Sequence, residues 1–432
     1  MARYRFETVN NDKRDGMRYK ATILIGMLLL SVAVRSQEQR LMSLDSCLAY
    51  ARRHNLQMLD AGLGLEQGRV QRQGAAMRFL PSASASGSHT LVPRDERNTQ
   101  YSIGAHLTLF DGLQTLRSYR QSRLAERQST LAVEQTRMAT EVGVVQAYLT
   151  VLMNRERLSY QRERLGNSQR QRDDAEAKYK AGRLLESDYL LLAANCTQAE
   201  SEIENSQLAI ARDLDDLAML IGLADSIALE IDTLAAPDTL LPALDTLLAR
   251  AMRTMPDWEM SQLEVEQARL GVKLAEGSFM PTLTASATYG NGWVAMPMDE
   301  GMQSLDGGGT VSLGVSIPLF DQGAHITQLR QSRLSLQQAQ LQHRQRTIDL
   351  KEKIEELYVE ARQARNRMQA SEALATAYRA TYDVYTLKYD EGTVSTVEML
   401  QQQDRWLSAL NDWLQNKYSF MLQQKQIKIY TE

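Results

Sequence analysis

A strand motif with two different faces occurs twice in the chain: residues 101–111 read YSIGAHLTLFD, and residues 311–321 read VSLGVSIPLFD. The copies lie 210 residues apart and share a Ser, a Gly and the final Leu-Phe-Asp at matching positions. Apolar side chains alternate with small or polar ones, which is the pattern of a β-strand with one apolar and one polar face. The motif predicts one such strand in each half of a duplicated chain.

The duplication extends well beyond this motif. Residues 79–81 (FLP) recur 200 positions later as 279–281 (FMP), and residues 179–182 (YKAG) recur 210 positions later as 389–392 (YDEG). The difference of ten residues must arise between these two pairs, so the second half should carry a longer loop between its strands. An internal repeat of this kind predicts two structurally equivalent halves.

Each repeat is predicted to contain a helix, two strands, a long helix, a turn and a further helix. In the first repeat, residues 37–221, we expect a helix at 41–78, strands at 79–92 and 100–111, a long helix at 113–181 and a helix at 183–221. A linker, residues 222–241, leads to the second repeat, residues 242–432. There we expect a helix at 242–278, strands at 280–293 and 310–320, a long helix at 323–391 and a helix at 393–428.

Apolar residues follow a seven-residue spacing along both long helices. The first long helix carries such a series at Leu124, Leu131, Met138, Val145 and Leu152, and the second at Leu334, Leu341 and Ile348, then Met368, Ala375, Tyr382 and Tyr389. Sustained heptads indicate coiled-coil packing. At 1.5 Å per residue, a helix of about 68 residues is roughly 100 Å long. The chain is therefore expected to be elongated.

The predicted strands are about as long as strands that cross a bilayer at a tilt. Their polar faces carry small residues, and His106 has the parity of that face. A half-buried sheet in a soluble protein shows the same alternation, so the pattern alone leaves both interpretations open. Four strands cannot close into a membrane barrel, so the membrane interpretation requires oligomerisation.

Residues 1–36 have the pattern of a cleaved secretory signal peptide. A polar, mainly basic stretch, 1–20, precedes 14 apolar residues, 21–34, and Ser36 offers a small side chain at a cleavage point. The apolar stretch is too short for a helix across the roughly 30 Å hydrocarbon core. Its removal leaves 42 basic and 50 acidic residues. We expect an exported, mildly acidic protein, in which any membrane crossing uses strands.

The composition and motifs argue against several other classes of protein. The chain has 49 basic and 53 acidic residues without basic runs, which argues against nucleic-acid binding. Cys47 and Cys196 fall on different predicted helices, so we expect small packing residues and no disulfide scaffold. The five histidines lack metal-ligand spacing, and the glycines at 307–309 precede a strand, not the helix of a phosphate-binding loop. We expect no enzyme activity, cofactor or metal.

Taken together, the repeated motifs resemble the TolC family of outer-membrane efflux proteins, from about residue 41 to the end of the chain. The resemblance is carried by the strand entries at 79–81 and 279–281, the Leu-Phe-Asp exits at 109–111 and 319–321, and the turns that follow Tyr179 and Tyr389. It implies a mainly α fold with a transmembrane β part. A long coiled-coil α-barrel would continue into a trimeric twelve-stranded β-barrel, to which each chain gives four strands.

The resemblance also implies a function and partners. The homotrimer would form a channel-tunnel in the outer membrane, in contact with its lipid, that extends into the periplasm. It would conduct substrates from an inner-membrane efflux pump and a periplasmic adaptor (membrane fusion protein) to the outside, gated at its helical end.

Particular residues acquire expected positions from this resemblance. Phe79, Pro81, Phe279 and Pro281 would form the strand-entry corners. Aromatic residues would lie near the outer rim of the barrel, at Tyr101, Tyr289 and Trp293, beside surface loops at 93–99 and 297–309. Gly182 and Gly392 would end the long helices at the periplasmic turns, because glycine accepts a positive φ.

Three residues near the turns are candidates for gating. Counted from the turn glycines, Asp188 and Tyr389 match the residues that latch the family's gate, and Glu398 matches an acid of the entrance ring. The sequence departs from the family's pattern twice, since Gln401 replaces a second ring acid and Val394 replaces a basic latch residue. The entrance should therefore prefer cations less strongly.

A second function stays open at this point: a structural trimeric coiled-coil tether or surface protein anchored in the outer membrane. A tether would need only one membrane anchor, and small polar faces on its strands would give it no advantage. The two strand pairs therefore favour the channel-tunnel over the tether. For any single acid near the turns, a solvated helix face is the alternative interpretation.

Overall fold

The structure, a computed structural model, describes residues 41–91, 97–223, 230–231, 240–295 and 302–431. The expected signal peptide, residues 1–36, and most of the expected linker lie outside these ranges. Across the described ranges, no helix is both long and apolar enough to cross a membrane.

The first repeat begins with a two-residue strand and ends with a helical hairpin. Its elements are β1 (Leu41–Met42), α1 (Leu44–His54), α2 (Leu56–Met77), β2 (Ser82–Leu91), β3 (Arg97–Asp111), α3 (Gln114–Lys180) and α4 (Glu186–Ile221). The helices α3 and α4 are antiparallel neighbours joined by the turn at 181–185.

The second repeat has the same order of elements. They are β4 (Glu230–Ile231), α5 (Leu244–Thr254), α6 (Pro256–Gly277), β5 (Thr282–Ala295), β6 (Met302–Ser316), α7 (Ala324–Asp390) and α8 (Thr396–Thr431). The long helices α3 and α7 both contain 67 residues, and α4 and α8 both contain 36. The mainly α fold with four longer strands agrees with the fold predicted from the sequence.

The single helices expected at 41–78 and 242–278 are each divided in two, so that part of the prediction is wrong. Asn55 has an extended backbone, and its side-chain oxygen accepts hydrogen bonds from the amides of Gln57 (2.8 Å) and Met58 (3.1 Å). This is an N-cap, which starts a new helix at Leu56. In the second repeat, the new helix starts at Pro256, where proline's missing N–H costs no hydrogen bond.

The same asparagine joins α2 to the end of α4. The side-chain amide of Asn55 donates to the carbonyl of Leu220 at 2.7 Å, which satisfies one of the last carbonyls of α4. Gly222 follows with a φ of +85°, and a Cβ there would lie 2.3 Å from the carbonyl oxygen of His54. In the second repeat, the hydroxyl of Thr254 donates to the carbonyl of Tyr430 at 3.0 Å. Two shorter helices thus line each long helix.

The four longer strands form one antiparallel sheet in the order β2-β3-β5-β6. Each face of this sheet has its own chemistry. Ser82, His106, Ser286 and Ser312 lie in register across the four strands, and the hydroxyls of Ser286 and Ser312 are 2.7 Å apart. The opposite face carries alanine and larger apolar residues, of which Val311, Leu313 and Val315 are more than two-thirds exposed. His106 therefore lies on the polar face, as its parity predicted.

The predicted surface loop at 297–309 is wrong in its second part, because β6 begins at Met302 and includes all three glycines at 307–309. Tyr289 on β5 is paired with Gly309, and a Cβ on Gly307 would lie 3.2 Å from the Tyr289 hydroxyl. The Tyr289 hydroxyl thus restricts the space for a side chain at 307, whereas a Cβ at 309 would be in ordinary contact with the ring, 3.5 Å away. The strand ends at Ser316 and not at 320, and β3 begins at Arg97 within the other predicted loop.

The helices α1 and α5 form a second layer, with the parallel strand pair β1-β4, on one face of the long helices. This strand pair was not predicted from the sequence. Three residues of α3, each seven positions after the previous one, hold the layer. Glu141 accepts from Arg52 of α1 (2.8 Å), Tyr148 donates to the Met42 carbonyl (3.3 Å) and Arg155 donates to the Ile231 carbonyl (3.0 Å). This heptad position of α3 faces the second layer.

The predicted coiled-coil seams differ in how well one chain covers them. Leu131, Met138 and Val145 of α3 are buried, whereas Leu334 and Leu341 of α7 are about 60% exposed (59% and 64%). At the other edge of the helical layer, Leu56, Leu63 and Val70 of α2 are exposed as well. The single chain leaves an apolar stripe uncovered along both of its edges.

We predict that Asn55→Ala lowers the free energy of unfolding by about 1–3 kcal/mol, because it removes an N-cap and a bond between two helices. Gln57→Ala, at an exposed position two residues later, is the matched control. Thermal unfolding followed by circular dichroism measures both. Equal melting temperatures for the two variants would contradict the role given to Asn55.

Candidate functional site

The candidate site is the end of the molecule at which both helical hairpins turn. Gly182 and Gly392 have φ values of +70° and +75°. The amide of Gly182 donates to the Tyr179 carbonyl (2.9 Å), and the next amide donates to the Lys178 carbonyl (2.8 Å). This pair of bonds is a Schellman C-cap, which favours glycine at the residue of positive φ. Both glycines therefore end their helices as the sequence predicted.

Asp188 and Glu398 occupy equivalent positions, each the third residue of the helix after its turn. Glu398 accepts hydrogen bonds from the amide and the hydroxyl of Ser395, both at 2.9 Å, while the Glu398 amide donates back to that hydroxyl (3.3 Å). This reciprocal arrangement is a capping box. The hydrogen bonds from Ser395 lower the pKa of the Glu398 carboxyl. Glu398 is thus an exposed carboxylate already used in capping its own helix.

The Asp188 carboxylate, unlike that of Glu398, does not cap its own helix. The residue that corresponds to Ser395 in the first repeat is Leu185, which offers no capping side chain. Among the described residues, the half-buried Asp188 side chain has no hydrogen bond or ion pair. Of the two equivalent acids, Asp188 is the one whose carboxylate stays available to another partner.

Tyr389 lies at the end of α7 with 8% of its surface exposed. Its hydroxyl is buried and meets no hydrogen-bond partner in the described part of the chain, so the predicted pair with Asp188 is not formed within one chain. An unpaired buried hydroxyl costs about 1–3 kcal/mol.

The ammonium of Lys178 lies 5.7 Å from the centre of the Tyr389 ring. A hydrogen bond from Lys178 to Asp174 and the nearby Tyr389 oxygen raise the pKa of Lys178.

Val394 and Gln401 mark the two departures from the family's pattern. Val394 packs against the cluster of Leu192, Met399 and Trp406. An apolar contact therefore stands where the resemblance would place a basic latch residue. Gln401 is exposed on α8.

A buried polar network joins the two helical hairpins behind the turns. Asn195 of α4 donates to the side-chain oxygen of Gln403 of α8 (3.1 Å), and Gln403 donates to the hydroxyl of Tyr382 of α7 (3.3 Å). Two residues of α3 complete it: Gln171 donates to the same hydroxyl (3.4 Å), and Arg164 donates to Asn195 (3.0 Å). Gln403 is only 1% exposed. All four long helices therefore share one set of hydrogen bonds.

Aromatic packing reinforces this connection. The rings of Tyr382 and Trp406 are stacked at 5.5 Å, and the guanidinium of Arg379 lies 5.4 Å from the Trp406 ring centre. Arg379 also donates to Glu163 of α3 at 2.7 Å. These contacts connect the two hairpins within one chain, whereas Asp188 and the Tyr389 hydroxyl form no such contact with any residue that the structure describes.

The strand-entry corners lie at the opposite end of the long helices. Phe79 and Phe279 are about half exposed (48% and 45%), and each contacts a ring near the start of the following long helix, Tyr119 on α3 and His325 on α7. Pro81 and Pro281 immediately precede their strands. The motif aspartates Asp111 and Asp321 accept hydrogen bonds from amides of the first helical turns. The repeated Leu-Phe-Asp motif thus supplies the helix cap.

Two parts of this site were missed from the sequence. The capping box was readable, because Ser395-Thr396-Val397-Glu398 fits the Ser-x-x-Glu pattern. The sequence indicates the polar network only weakly. Gln403 is a polar residue in a series of otherwise apolar positions along α8, namely Met399, Trp406 and Leu410. Its partner Tyr382 is 21 residues away on α7, and its partner Asn195 is more than 200 residues away on the other hairpin, so no local pattern could identify the network.

Comparison with known proteins identifies the family. The model of the family described as "Outer membrane efflux protein" matches residues 47–223 and 247–431. The chain belongs to this family. The two matched ranges correspond to the two repeats, and they include both turns and both strand pairs.

Among curated relatives of this efflux protein is the fusaric acid resistance protein FusA of Burkholderia cepacia, 27% identical over 195 residues, which are 44% of the chain and 36% of FusA. The outer membrane efflux protein BepC of Brucella suis biovar 1 is 23% identical over 328 residues, or 74% of the chain and 69% of BepC. Thus the chain spans about a third of the length of one relative and two-thirds of the other.

Among solved structures, a CusC structure superimposes on the efflux protein with a TM-score of 0.75. The match covers 90% of this chain and 91% of CusC at 17% identity, and the CusC work describes folding and transmembrane channel formation. A likeness at this identity establishes the shared fold. It agrees with the α-helical hairpins and four-stranded sheet described above.

We predict that Gln403→Leu lowers the free energy of unfolding by about 1–3 kcal/mol, because Asn195 and Tyr382 each lose a buried hydrogen-bond partner. Gln401→Leu changes an exposed glutamine of the same helix and should have a much smaller effect. Chemical denaturation of the two purified variants compares them. A Gln403→Leu protein as stable as its control would show that apolar packing fully replaces the network.

The Glu398 cap should make stability depend on pH. Because the folded-state pKa is lowered, the cap contributes fully above the unfolded carboxyl pKa, about 4.3, and its contribution is lost as the pH falls through the folded value. The melting-temperature difference between the wild type and Ser395→Ala should therefore shrink in acid. Thr393→Ala, which removes a hydroxyl bond to the Lys388 carbonyl, is the pH-independent control. A constant Ser395→Ala deficit from neutral to acid pH would refute the assignment.

Proposed function

We propose that the chain assembles into a homotrimeric channel-tunnel of the outer membrane, through which exported substrates pass without chemical change. The two-faced sheet carries this proposal. A row of hydroxyl groups on one face suits a water-filled lumen, and the apolar face, with Val311 and Leu313 exposed, suits lipid.

The open edges of the single chain support assembly with further copies. Among the residues that the structure describes, strands β2 and β6 each have one edge without a partner strand, and within a bilayer such edges must be paired. The exposed stripe of α7 and that of α2 lie at opposite sides of the helical layer and are both apolar. A copy of the chain can cover both the strand edge and the helical stripe. Three copies would supply twelve strands, the number that the family resemblance implies.

The turn end is the proposed gate. Among the described residues, the Asp188 carboxylate has no hydrogen bond or ion pair, and the buried Tyr389 hydroxyl has no hydrogen-bond partner. Because the Tyr389 hydroxyl is covered within its own chain, the packing around it must open before Asp188 of a neighbouring chain can reach it, and the pair would then satisfy both groups. Glu398, which stays exposed and charged, would supply one acidic ring of three carboxylates at the entrance. A periplasmic adaptor and an inner-membrane pump are the proposed partners at this end, after cleavage of the signal peptide during export.

Ion conductance of the purified protein in a planar lipid bilayer tests the proposal. A conduit passes current, at least after the gate is loosened. A structural tether passes none, so a complete absence of current, also in the gate variants below, would favour the tether. Chemical crosslinking of the same sample determines whether it is a trimer.

We predict that Asp188→Ala and Tyr389→Phe raise conductance, because each removes one side of the proposed latch. The loss of a charge-assisted hydrogen bond worth about 1.5–3 kcal/mol shifts a closed-to-open equilibrium roughly tenfold or more. Glu186→Gln removes an exposed acid of the same helical turn and should leave conductance unchanged. If all three variants behave alike in conductance and in sensitivity of cells to large antibiotics, the latch residues are wrongly assigned.

A further inference from the structure

A cationic groove lies between α3 and α6, close to the sheet and far from the turns. It encloses about 560 Å³. Its basic lining consists of Arg120, Arg123 and Arg127 of α3 and Arg269 and Lys273 of α6. Leu124 and Leu270 contribute apolar surface to the groove, and Glu266 is the acidic residue of the lining.

The positive charge of this groove is largely uncompensated. Arg127 pairs with Glu259 at 2.7 Å. Within the part of the chain that the structure describes, the other four cations form no ion pair. Four exposed cations around one concave surface repel one another and create a local positive potential, which an anion would relieve. The groove thus favours a ligand with at least one negative charge.

The groove faces the same side of the helices as the second layer. Arg120 and Arg127 precede Glu141, Tyr148 and Arg155 by multiples of seven, and those three residues contact the second layer. A straight helix drifts about 20° per heptad from this alignment, so Arg127 is turned by about 40° and Arg120 by about 60° from Glu141, and both stay on the same side of α3. A second layer inside the tunnel would obstruct it, so under the proposed function both the layer and the groove face outward, away from the transported substrate.

The height of the groove relative to the membrane follows from its sequence position. At 1.5 Å per residue, Lys273 lies about 6 Å from the end of α6, and Arg120 lies about 9 Å from the start of α3. The half-exposed apolar residues Phe279 and Met280 follow α6 directly. Headgroup regions are about 5–8 Å thick on each side of a bilayer. The upper end of the groove therefore lies at headgroup level, and Arg123 and Arg269 lie slightly deeper in the periplasm.

We propose that this groove binds the headgroup of an anionic phospholipid from the inner leaflet of the outer membrane. The phosphate would lie between Arg120 and Lys273, with Arg269 within reach below. The proposal rests on the membrane position of the sheet proposed above. Acidic peptidoglycan is the competing ligand, but its layer lies below the headgroups, whereas the groove opens directly beneath the apolar corner residues.

The test compares lipid retention by two charge-neutralised proteins. The groove variant carries Arg120→Gln, Arg269→Gln and Lys273→Gln. The control variant carries Arg53→Gln, Arg250→Gln and Arg253→Gln, which removes the same number of exposed charges from α1 and α5. Each full-length trimer is reconstituted into vesicles of phosphatidylglycerol and phosphatidylcholine in equal amounts and then extracted in mild detergent. Mass spectrometry gives the ratio of the two lipids that stay bound.

We expect the wild type and the control to retain phosphatidylglycerol preferentially, and the groove variant to lose about fivefold or more of that preference, because each cation near an anionic surface contributes several-fold to affinity. Arg269→Glu alone should lower retention further than Arg269→Gln, and it replaces the triple variant if that protein fails to assemble. Equal retention by groove variant and control overturns the proposal.

Two further measurements separate the alternatives. If the groove variant cosediments less with peptidoglycan sacculi but retains phosphatidylglycerol like the wild type, the ligand is peptidoglycan and the lipid assignment is overturned. Bilayer conductance of the same proteins separates this site from the channel itself. Normal conductance with unchanged lipid retention overturns the lipid site and leaves the channel proposal standing, whereas absence of current from these proteins and from the gate variants Asp188→Ala and Tyr389→Phe overturns the channel proposal.

Discussion

The hydrogen bonds that β2 and β6 cannot make within one chain constrain the rest of the structure. Each presents a row of backbone N–H and C=O groups at an edge of the four-stranded sheet, and such groups cost several kcal/mol each when they are left unpaired in hydrocarbon. The helical layer has the same incompleteness in apolar form, since Leu341 of α7 and Leu63 of α2 are exposed at its two sides. Under the proposed assembly, one chain would be a sector of a closed ring, and neighbouring copies would cover these edges.

Within one chain, by contrast, the hairpins are firmly connected. Gln403, Asn195 and Tyr382 share hydrogen bonds deep between the helices, and the stacking of Tyr382 on Trp406 adds apolar contact. A polar group buried this deeply is costly unless every partner stays in place, so the network favours one relative position of the two hairpins. Motion at the turn end should then move the hairpins of one chain together and change mainly the contacts between chains.

The sequence predicted those parts of the fold that depend on local patterns of residues, which occur in both repeats. Heptads identified α3 and α7, alternation identified the strands, and Gly182 and Gly392 identified the turns. The break at Asn55 was missed because a single asparagine inside a helical pattern becomes a cap only when the end of α4 is beside it. The strand through 307–309 was missed because three consecutive glycines are typical of a loop, whereas here Gly308 and Gly309 pair with Gly290 and Tyr289 of β5. In both places, the helix break at Asn55 and the strand at 307–309, the local structure depends on contacts with residues distant in sequence.

The unequal caps of the two repeats affect the symmetry of the proposed assembly. Two equivalent hairpins per chain would give a trimer the character of a sixfold ring over most of its helical length. At the tip, Ser395 engages Glu398, whereas Leu185 leaves Asp188 unengaged. In the proposed trimer, carboxylates that cap their own helix would therefore alternate with carboxylates that do not, and the symmetry would fall to threefold at the constriction. A partner protein that binds at this constriction would find three identical docking positions, and each position would consist of two dissimilar hairpins.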